Sequence, residues 1–424
     1  MISSVSHSSS HQGRVLVPGD KSASHRALIL SSLASGFSSI YGINEGADVK
    51  ATAEALRHMG ATISPVGREV TVEGPSVGLH ASAVPLDFGN SGTGMRLVAG
   101  LVCGIPGNHV LFGDGSLMRR PMKRIGDPLR QMGAEFSGEG ESETAPLRIS
   151  GRRPLHAVDF HVPVPSAQVK SAILLAGLNA DSPSTVHEAV RTRTTTEEML
   201  VQSGIVVESA DGTAGRSVTV HPGRPNPHEW KIPGDPSQAA FFVVLGLISQ
   251  KGDIEVPHVD LSPERRGFID VLLRMGGKIE VDAESGTINS CSSSLVSTDV
   301  WSHEIPSVDE VPILVVAAAA ATGCTKFIHM DELRHKESDR FAGAVELARS
   351  LGCTVTVDGD SFFVEGLGSA RRFKTFTINA RLDHRFVMSA AIAGSAGSGA
   401  TIEGSDTVTS SYPGFFSDLE SCAG

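Results

Sequence analysis

The chain has 424 residues, 40% hydrophobic and 20% charged, the make-up of a folded protein of two or three domains rather than a disordered one. Its formal net charge of −11 argues against nucleic acid or an anionic membrane as a general partner, so any anion site must be a local basic pocket. The longest apolar runs, 239–248 and 311–321, fall short of the ~20 residues that span a bilayer.

Residues 3–12 are rich in serine and lack the basic and apolar regions of a signal peptide, so they read as a frayed tail on a cytoplasmic protein. Pro18-Gly19-Asp20-Lys21-Ser22-Ala23-Ser24-His25-Arg26 then opens an apolar run over 27–33. Proline and glycine break the chain before a helix, leaving first-turn amides at the positive end of its dipole to face an anion. Lys21 adds a point charge and Arg26 a planar fork, a pairing suited to a phosphorylated substrate. Plain helix capping by Asp20 or Ser22, with solvated basic residues, is the alternative for this segment taken alone.

Gly89-Asn90-Ser91-Gly92-Thr93-Gly94-Met95-Arg96 is a second glycine-rich turn, where a ligand can approach the backbone and Asn90 and Thr93 offer hydrogen bonds. Its spacing fits neither a Rossmann fingerprint nor a Walker A loop, so no nucleotide is inferred. The basic run Met118-Arg119-Arg120-Pro121-Met122-Lys123-Arg124 is either a solvated face or a loop that closes on an anion. Ser166-Ala167-Gln168-Val169-Lys170 begins an apolar helix and is most cheaply explained as its cap.

Further on, Asp309-Glu310-Val311-Pro312 precedes a Val/Ala-rich helix, where a partly desolvated carboxylate serves as a base or as a cap. Residues 332–340 are the densest charged segment, with signs alternating at helical spacing, and Asp383-His384-Arg385 precedes another alanine-rich helix. Five cysteines lie far apart with no CxxC pair and no accompanying metal-type Cys/His cluster, and they read as reduced thiols.

A helix end closed by glycine and followed by β-rich residues recurs at Gly60, Gly133, Gly204, Gly276 and Gly352, about 72 residues apart, and one further interval lands on Gly424. Glycine there suits a left-handed C-cap, so the chain reads as six αβ repeats. PGDKSASHRALIL at 18 is echoed by PGDPSQAAFFVVL at 233, which splits the repeats into two groups of three. The second copy lacks the lysine and arginine of the first.

In order and spacing, PGDKSASHR, GNSGTGMR, RRPM, SAQVKSA, PGDPSQAA, VDEVP, LRHKESDR, DHR and SYPGFF together resemble the EPSP synthase (3-phosphoshikimate 1-carboxyvinyltransferase) family, from Val17 to about Phe416. The resemblance implies an α/β fold of two domains, each of three βαβαββ-type repeats, with the active site in the interdomain cleft. Crossovers near Pro18-Gly19 and Ile232-Pro233 would make residues 19–231 one domain and 1–18 plus 232–424 the other. It implies transfer of the enolpyruvyl group of phosphoenolpyruvate to the 5-hydroxyl of shikimate 3-phosphate by addition and elimination, without metal or cofactor, in a monomer.

By the same resemblance, Lys21, Ser22 and Arg26, with Ser166, Ala167, Gln168, Asp309 and Lys336, bind shikimate 3-phosphate. Lys21, Asn90, Gly92, Arg120, Gln168, Arg340 and Arg385 face phosphoenolpyruvate. The catalytic residues it implies are Asp309, which takes the hydroxyl proton, Glu337, which moves a proton at the methylene carbon, His384, which helps orient it, and Lys21, which reaches both substrates. Gly92 leaves room for a phosphonate inhibitor such as glyphosate.

Two departures stand out. Thr194-Thr195 replace the Asp/Asn-His that many members carry after the arginine equivalent to Arg193, and Ser410 stands where some carry lysine. UDP-N-acetylglucosamine 1-carboxyvinyltransferases share the fold and donor, but their reactive loop usually carries a cysteine that 113–124 lacks. An RNA 3′-phosphate cyclase would be expected to use a nucleotide and a nucleophilic histidine, and a non-catalytic binder of phosphorylated sugar-like acids would show no turnover.

Overall fold

The computed structural model describes residues 1–213, 215–305, 308–368 and 373–424. They form two compact units, Gly19–Ile232 and Met1–Pro18 with Pro233–Gly424. Each unit has its own apolar core and three small sheets.

One repeat shows how the sequence builds the whole. Strand Leu86–Asp87 leads to helix Gly92–Cys103, strand Gly107–Phe112, helix Lys123–Gln131 and the hairpin Glu135–Glu139 with Thr144–Gly151. The first two strands pair parallel across the helix and the hairpin adds antiparallel, which is a βαβαββ unit. The same order recurs from Asp159–Val162 to Gly215–Val220 and from Asp299–Trp301 to Ser361–Glu365. The first helix of each repeat is apolar around most of its circumference and buried accordingly; Pro236–Ile248, Val311–Ala320 and His384–Ala396 line the core of one unit.

The glycine period has a single local cause. Gly60, Gly133, Gly204, Gly276 and Gly352 have φ of 102°, 91°, 86°, 82° and 95°, a region that favours glycine. In each case the next residue donates its N–H to the carbonyl five positions back, as Ala61 to Leu56 at 3.1 Å and Cys353 to Ala348 at 3.1 Å. This bond of the Schellman motif ends the helix and aims the chain into a strand. Gly424 does not follow suit: its N–H goes to Ser10 O at 3.0 Å, because helix Phe415–Cys422 ends beside strand Ser10–Arg14.

The reading of 3–12 as a frayed tail is corrected. Ile2–Val5 pairs antiparallel with Ala400–Glu403, and Ser10–Arg14 runs parallel to Lys251–Val256. Strand pairing uses backbone groups, so serine-rich composition does not forbid it where a sheet edge stands open. Buried His11 fixes the second strand, with its ring nitrogens 2.7 Å from Ser395 Oγ and 2.8 Å from Ser249 Oγ.

All five cysteines are unpaired, and burial pushes the Cys353 thiol up to about 11, which suits inert packing residues. Among the described residues, no helix is long and apolar enough to cross a membrane.

Candidate active site

In the unit Gly19–Ile232, helix Lys21–Leu33 begins where the sequence breaks it. Asp20 caps it, accepting from Ala23 N at 2.7 Å, so the capping reading holds for Asp20 while the basic residues do other work. Lys21 Nζ lies 3.0 Å from Asp48 Oδ2. Arg26 is buried rather than solvated, with Nε donating to Thr196 Oγ1 at 2.5 Å, Nη1 to Ser22 O at 2.8 Å and Nη2 to Ser171 Oγ at 2.8 Å. Arg193 Nη1 reaches Ser22 Oγ at 3.4 Å, which gathers three cations at one helix terminus.

Behind them His25 is fully enclosed, its Nδ1 2.8 Å from Thr52 Oγ1. Burial first, then Lys21 and Arg26, pushes its pKa from 6.5 down to about 3; burial and His7 push His11 down to about 4. Both imidazoles are therefore neutral when folded but take a proton near 6.5 when unfolded. Their contribution is whole above that pH and is lost as pH falls toward the folded values. Between pH 7.5 and 5, His25 alone forfeits about 2 kcal/mol. The thermal midpoint should fall over that interval and fall less in His25→Gln; equal slopes for the two proteins would show that His25 does not govern the loss.

The glycine-rich turn is the second part of this cluster. Asp114 Oδ1 accepts from Ser116 N at 2.9 Å and Leu117 N at 2.8 Å, folding the loop that carries Arg120 inward. Arg120 is buried and hydrogen-bonds the Asn90 side chain, with Nη1 3.2 Å from Asn90 O, while Arg119, Lys123 and Arg124 stay exposed. The basic run thus divides: one arginine enters the site and the rest form the solvated face.

Gln168, on helix Ala167–Gly177, accepts from Arg96 Nη1 at 2.7 Å and donates to Thr93 Oγ1 at 3.0 Å, so it is fixed by the same turn. Ser166 caps that helix through Val169 N at 3.4 Å, and Ala167 is its first residue. Gly92 is bounded by two guanidinium groups: a Cβ there would stand 2.7 Å from Arg120 Nη1 and 3.1 Å from Arg96 Nη1.

In the other unit the centre is Arg340, whose side chain is fully buried. Nε lies 2.7 Å from Asp383 Oδ2, Nη1 2.8 Å from Asp309 Oδ1 and Nη2 2.5 Å from Glu337 Oε2. Burial works against its charge, but Asp383, Glu337 and Asp309 outweigh it and hold the guanidinium well above its ordinary value. Arg385 Nη2 approaches Asp309 Oδ2 at 3.4 Å, so Asp309 is braced by two arginines rather than capping the helix that follows. Nε and Nη1 of Arg385 are buried and make no hydrogen bond among the described residues.

Two further expected site residues have partners of their own. Lys336 Nζ pairs with Glu332 Oε1 at 3.4 Å, and His384 Nδ1 meets Ser410 Oγ at 3.3 Å, at the position where some family members carry lysine. The Thr194-Thr195 departure leaves its neighbours in use: Thr196 holds Arg26, and Glu197 Oε1 lies 2.7 Å from buried Lys170 Nζ, whose other partner is Glu188 at 2.8 Å.

Sequence reasoning missed Asp383 as a partner of Arg340, because its place before His384 reads as a cap, and it does accept from Arg385 N at 3.0 Å. It also missed Arg265, which fills the second PGD turn by donating to Asp235 Oδ1 at 2.8 Å, while Ser237 hydrogen-bonds Glu310. That turn is closed by Arg265 on Asp235, whereas at the first turn the cations Lys21 and Arg26 pair with Asp48 and with Thr196 and Ser171.

A sequence profile described as EPSP synthase (3-phosphoshikimate 1-carboxyvinyltransferase) matches residues 5–419. The 3-phosphoshikimate 1-carboxyvinyltransferase of Synechococcus sp. (strain WH7803) is 42% identical over 96% of this chain and 95% of its own length. That of Lactococcus lactis subsp. lactis (strain IL1403) is 38% identical over 96% of each. The solved structure of EPSP synthase from Acinetobacter baumannii superposes with a TM-score of 0.86 at 36% identity, covering 100% of this chain and 98% of that one.

Proposed function

This chain belongs to the EPSP synthase family, and we propose that it runs the family's reaction with the two clusters described above. The reaction transfers the enolpyruvyl group of phosphoenolpyruvate to the 5-hydroxyl of shikimate 3-phosphate, giving 5-enolpyruvylshikimate 3-phosphate and phosphate, in the shikimate pathway to aromatic amino acids.

Lys21, Ser22 and Arg26 take the phosphate of shikimate 3-phosphate, Ser166, Ala167 and Gln168 its ring, and Lys336 its far side. Asn90, Gly92, Arg120, Gln168, Arg340 and Arg385 take phosphoenolpyruvate, with Lys21 shared. The observation that carries the reading is Arg385, a buried guanidinium with two nitrogens lacking hydrogen bonds, beside a carboxylate that two arginines hold in place. Such a group is poised for an anion, and the braced carboxylate for a proton.

Asp309 removes the hydroxyl proton as the oxygen bonds to C2 of phosphoenolpyruvate, and Glu337 delivers a proton to C3, which becomes a methyl group. In the second half the Glu337 carboxylate takes a proton back from that methyl group, the C–H electrons re-form the double bond, and phosphate departs with the electrons of its C–O bond. The cations offset the charge on two phosphates and two carboxylates throughout. His384 orients Glu337. By the same resemblance we also read the protein as a cytoplasmic monomer.

The test is phosphate release from phosphoenolpyruvate. Release that requires shikimate 3-phosphate supports the reading; release indifferent to it, or absent while it binds, removes it. Gly92→Ala should raise the KM for phosphoenolpyruvate about tenfold, and the Ki of glyphosate with it, by moving Arg120, while shikimate 3-phosphate binds as before. An unchanged KM would take Arg120 out of the donor pocket.

A further inference from the structure

Strand Asp159–Val162 runs parallel to Ser184–Glu188, in a register that sets His161 beside His187. Side chains alternate across a sheet, so Asp159, His161 and His187 share its outer, solvent-facing side while Val186 turns to the core. The two imidazoles stack with centroids 4.3 Å apart and planes 15° from parallel. His187 Nε2 lies 2.9 Å from Asp159 Oδ1, and its Nδ1 lies 2.8 Å from Ser217 Oγ on the next strand.

From this arrangement we infer a binding site for a divalent transition metal of the zinc class, formed by Asp159, His161 and His187. One ligand atom from each lies within 4.8 Å of the other two. Tetrahedral coordination with ~2.0 Å bonds asks for ligand separations of about 3.3 Å, which side-chain rotation at His161 on the exposed edge strand supplies. Ser217 Oγ lies 2.8 Å from Nδ1 of His187, so when an ion takes Nε2 in place of its bond to Asp159 the hydroxyl can accept the Nδ1 proton, the role of an outer partner to a metal-binding imidazole. Two imidazoles and one carboxylate favour Zn²⁺, Co²⁺, Ni²⁺ or Cu²⁺ over Mg²⁺ or Ca²⁺, which take oxygen.

The three residues are 26 or more positions apart across the two strands, so cysteine-based spacing rules do not detect them. The site stands apart from the chemistry but not from its supports. Strand Ser184–Glu188 ends on the carboxylate that pairs with Lys170, and the following segment carries Arg193 and Thr196 to Ser22 and Arg26. A bound ion pins the edge strand to this one and so stiffens the root of that segment.

The experiment is titration of the EDTA-treated full chain with ZnCl₂ in the presence of millimolar Mg²⁺, read by calorimetry and by the visible spectrum of Co²⁺ in place of Zn²⁺. One ion should bind per chain with micromolar affinity and a tetrahedral Co²⁺ spectrum. His187→Ala and His161→Ala should each weaken it at least 100-fold and abolish that spectrum, with turnover of the EDTA-treated enzyme unchanged. His161 sits on an exposed edge strand, so His161→Ala folds even where the other variant does not. No binding at 100 μM Zn²⁺, or binding that both variants retain, overturns the inference.

Discussion

Asp309→Ala is expected to lower acceptor-dependent phosphate release by about 10³-fold, and Glu337→Ala by a similar factor, the scale at which a positioned acid or base contributes. Both carboxylates also hold Arg340, so alanine removes a proton carrier and frees a cation together. Asp309→Asn and Glu337→Gln separate the two effects, because an amide oxygen still accepts from the guanidinium but takes no proton. Losses as deep as those of the alanine variants locate the effect in proton transfer; near-normal rates in the amide variants would reduce both residues to supports for Arg340. The double variant should lose much less than the product of the single losses, since the groups act in one reaction sequence.

Arg340→Met should destabilise its unit by about 3–5 kcal/mol, the usual consequence of leaving buried carboxylates without their cation. Asp383 is fully buried, Asp309 and Glu337 are partly so, and all three pair with this one side chain. For a unit of this size the corresponding fall in thermal midpoint is roughly 10 °C. Arg340→Lys keeps the charge but cannot reach three partners with one ammonium, so it should fall between methionine and wild type. A midpoint unchanged in Arg340→Met would mean that the three carboxylates need no common cation.

How much was legible follows from the range of each interaction. The Schellman glycines could be read because the motif is complete within six residues, and five copies made the repeat visible. The helix that starts at Lys21 could be read because the proline-glycine break and the Asp20 cap that begin it are local. Asp383 could be read only halfway: its cap is two residues long, but its bond to Arg340 spans 43. Arg265 sits in an unremarkable loop and enters the site of Asp235 only through tertiary packing. The serine-rich start misled because composition reports the side chains of a strand, whereas pairing depends on which edges its partners leave open.

The division of the sheets between the chain's two ends bears on the order in which a ribosome can complete them. The unit Gly19–Ile232 is one continuous stretch and emerges with every strand it needs. The other unit draws its residues from both sides of that stretch. Strand Ile2–Val5 has no partner until Ala400–Glu403 has been made, and Ser10–Arg14 waits for Lys251–Val256. Residues 2–14 must therefore remain unpaired and soluble while the chain between them and their partners is made, a condition that short strands rich in serine meet and apolar ones would not.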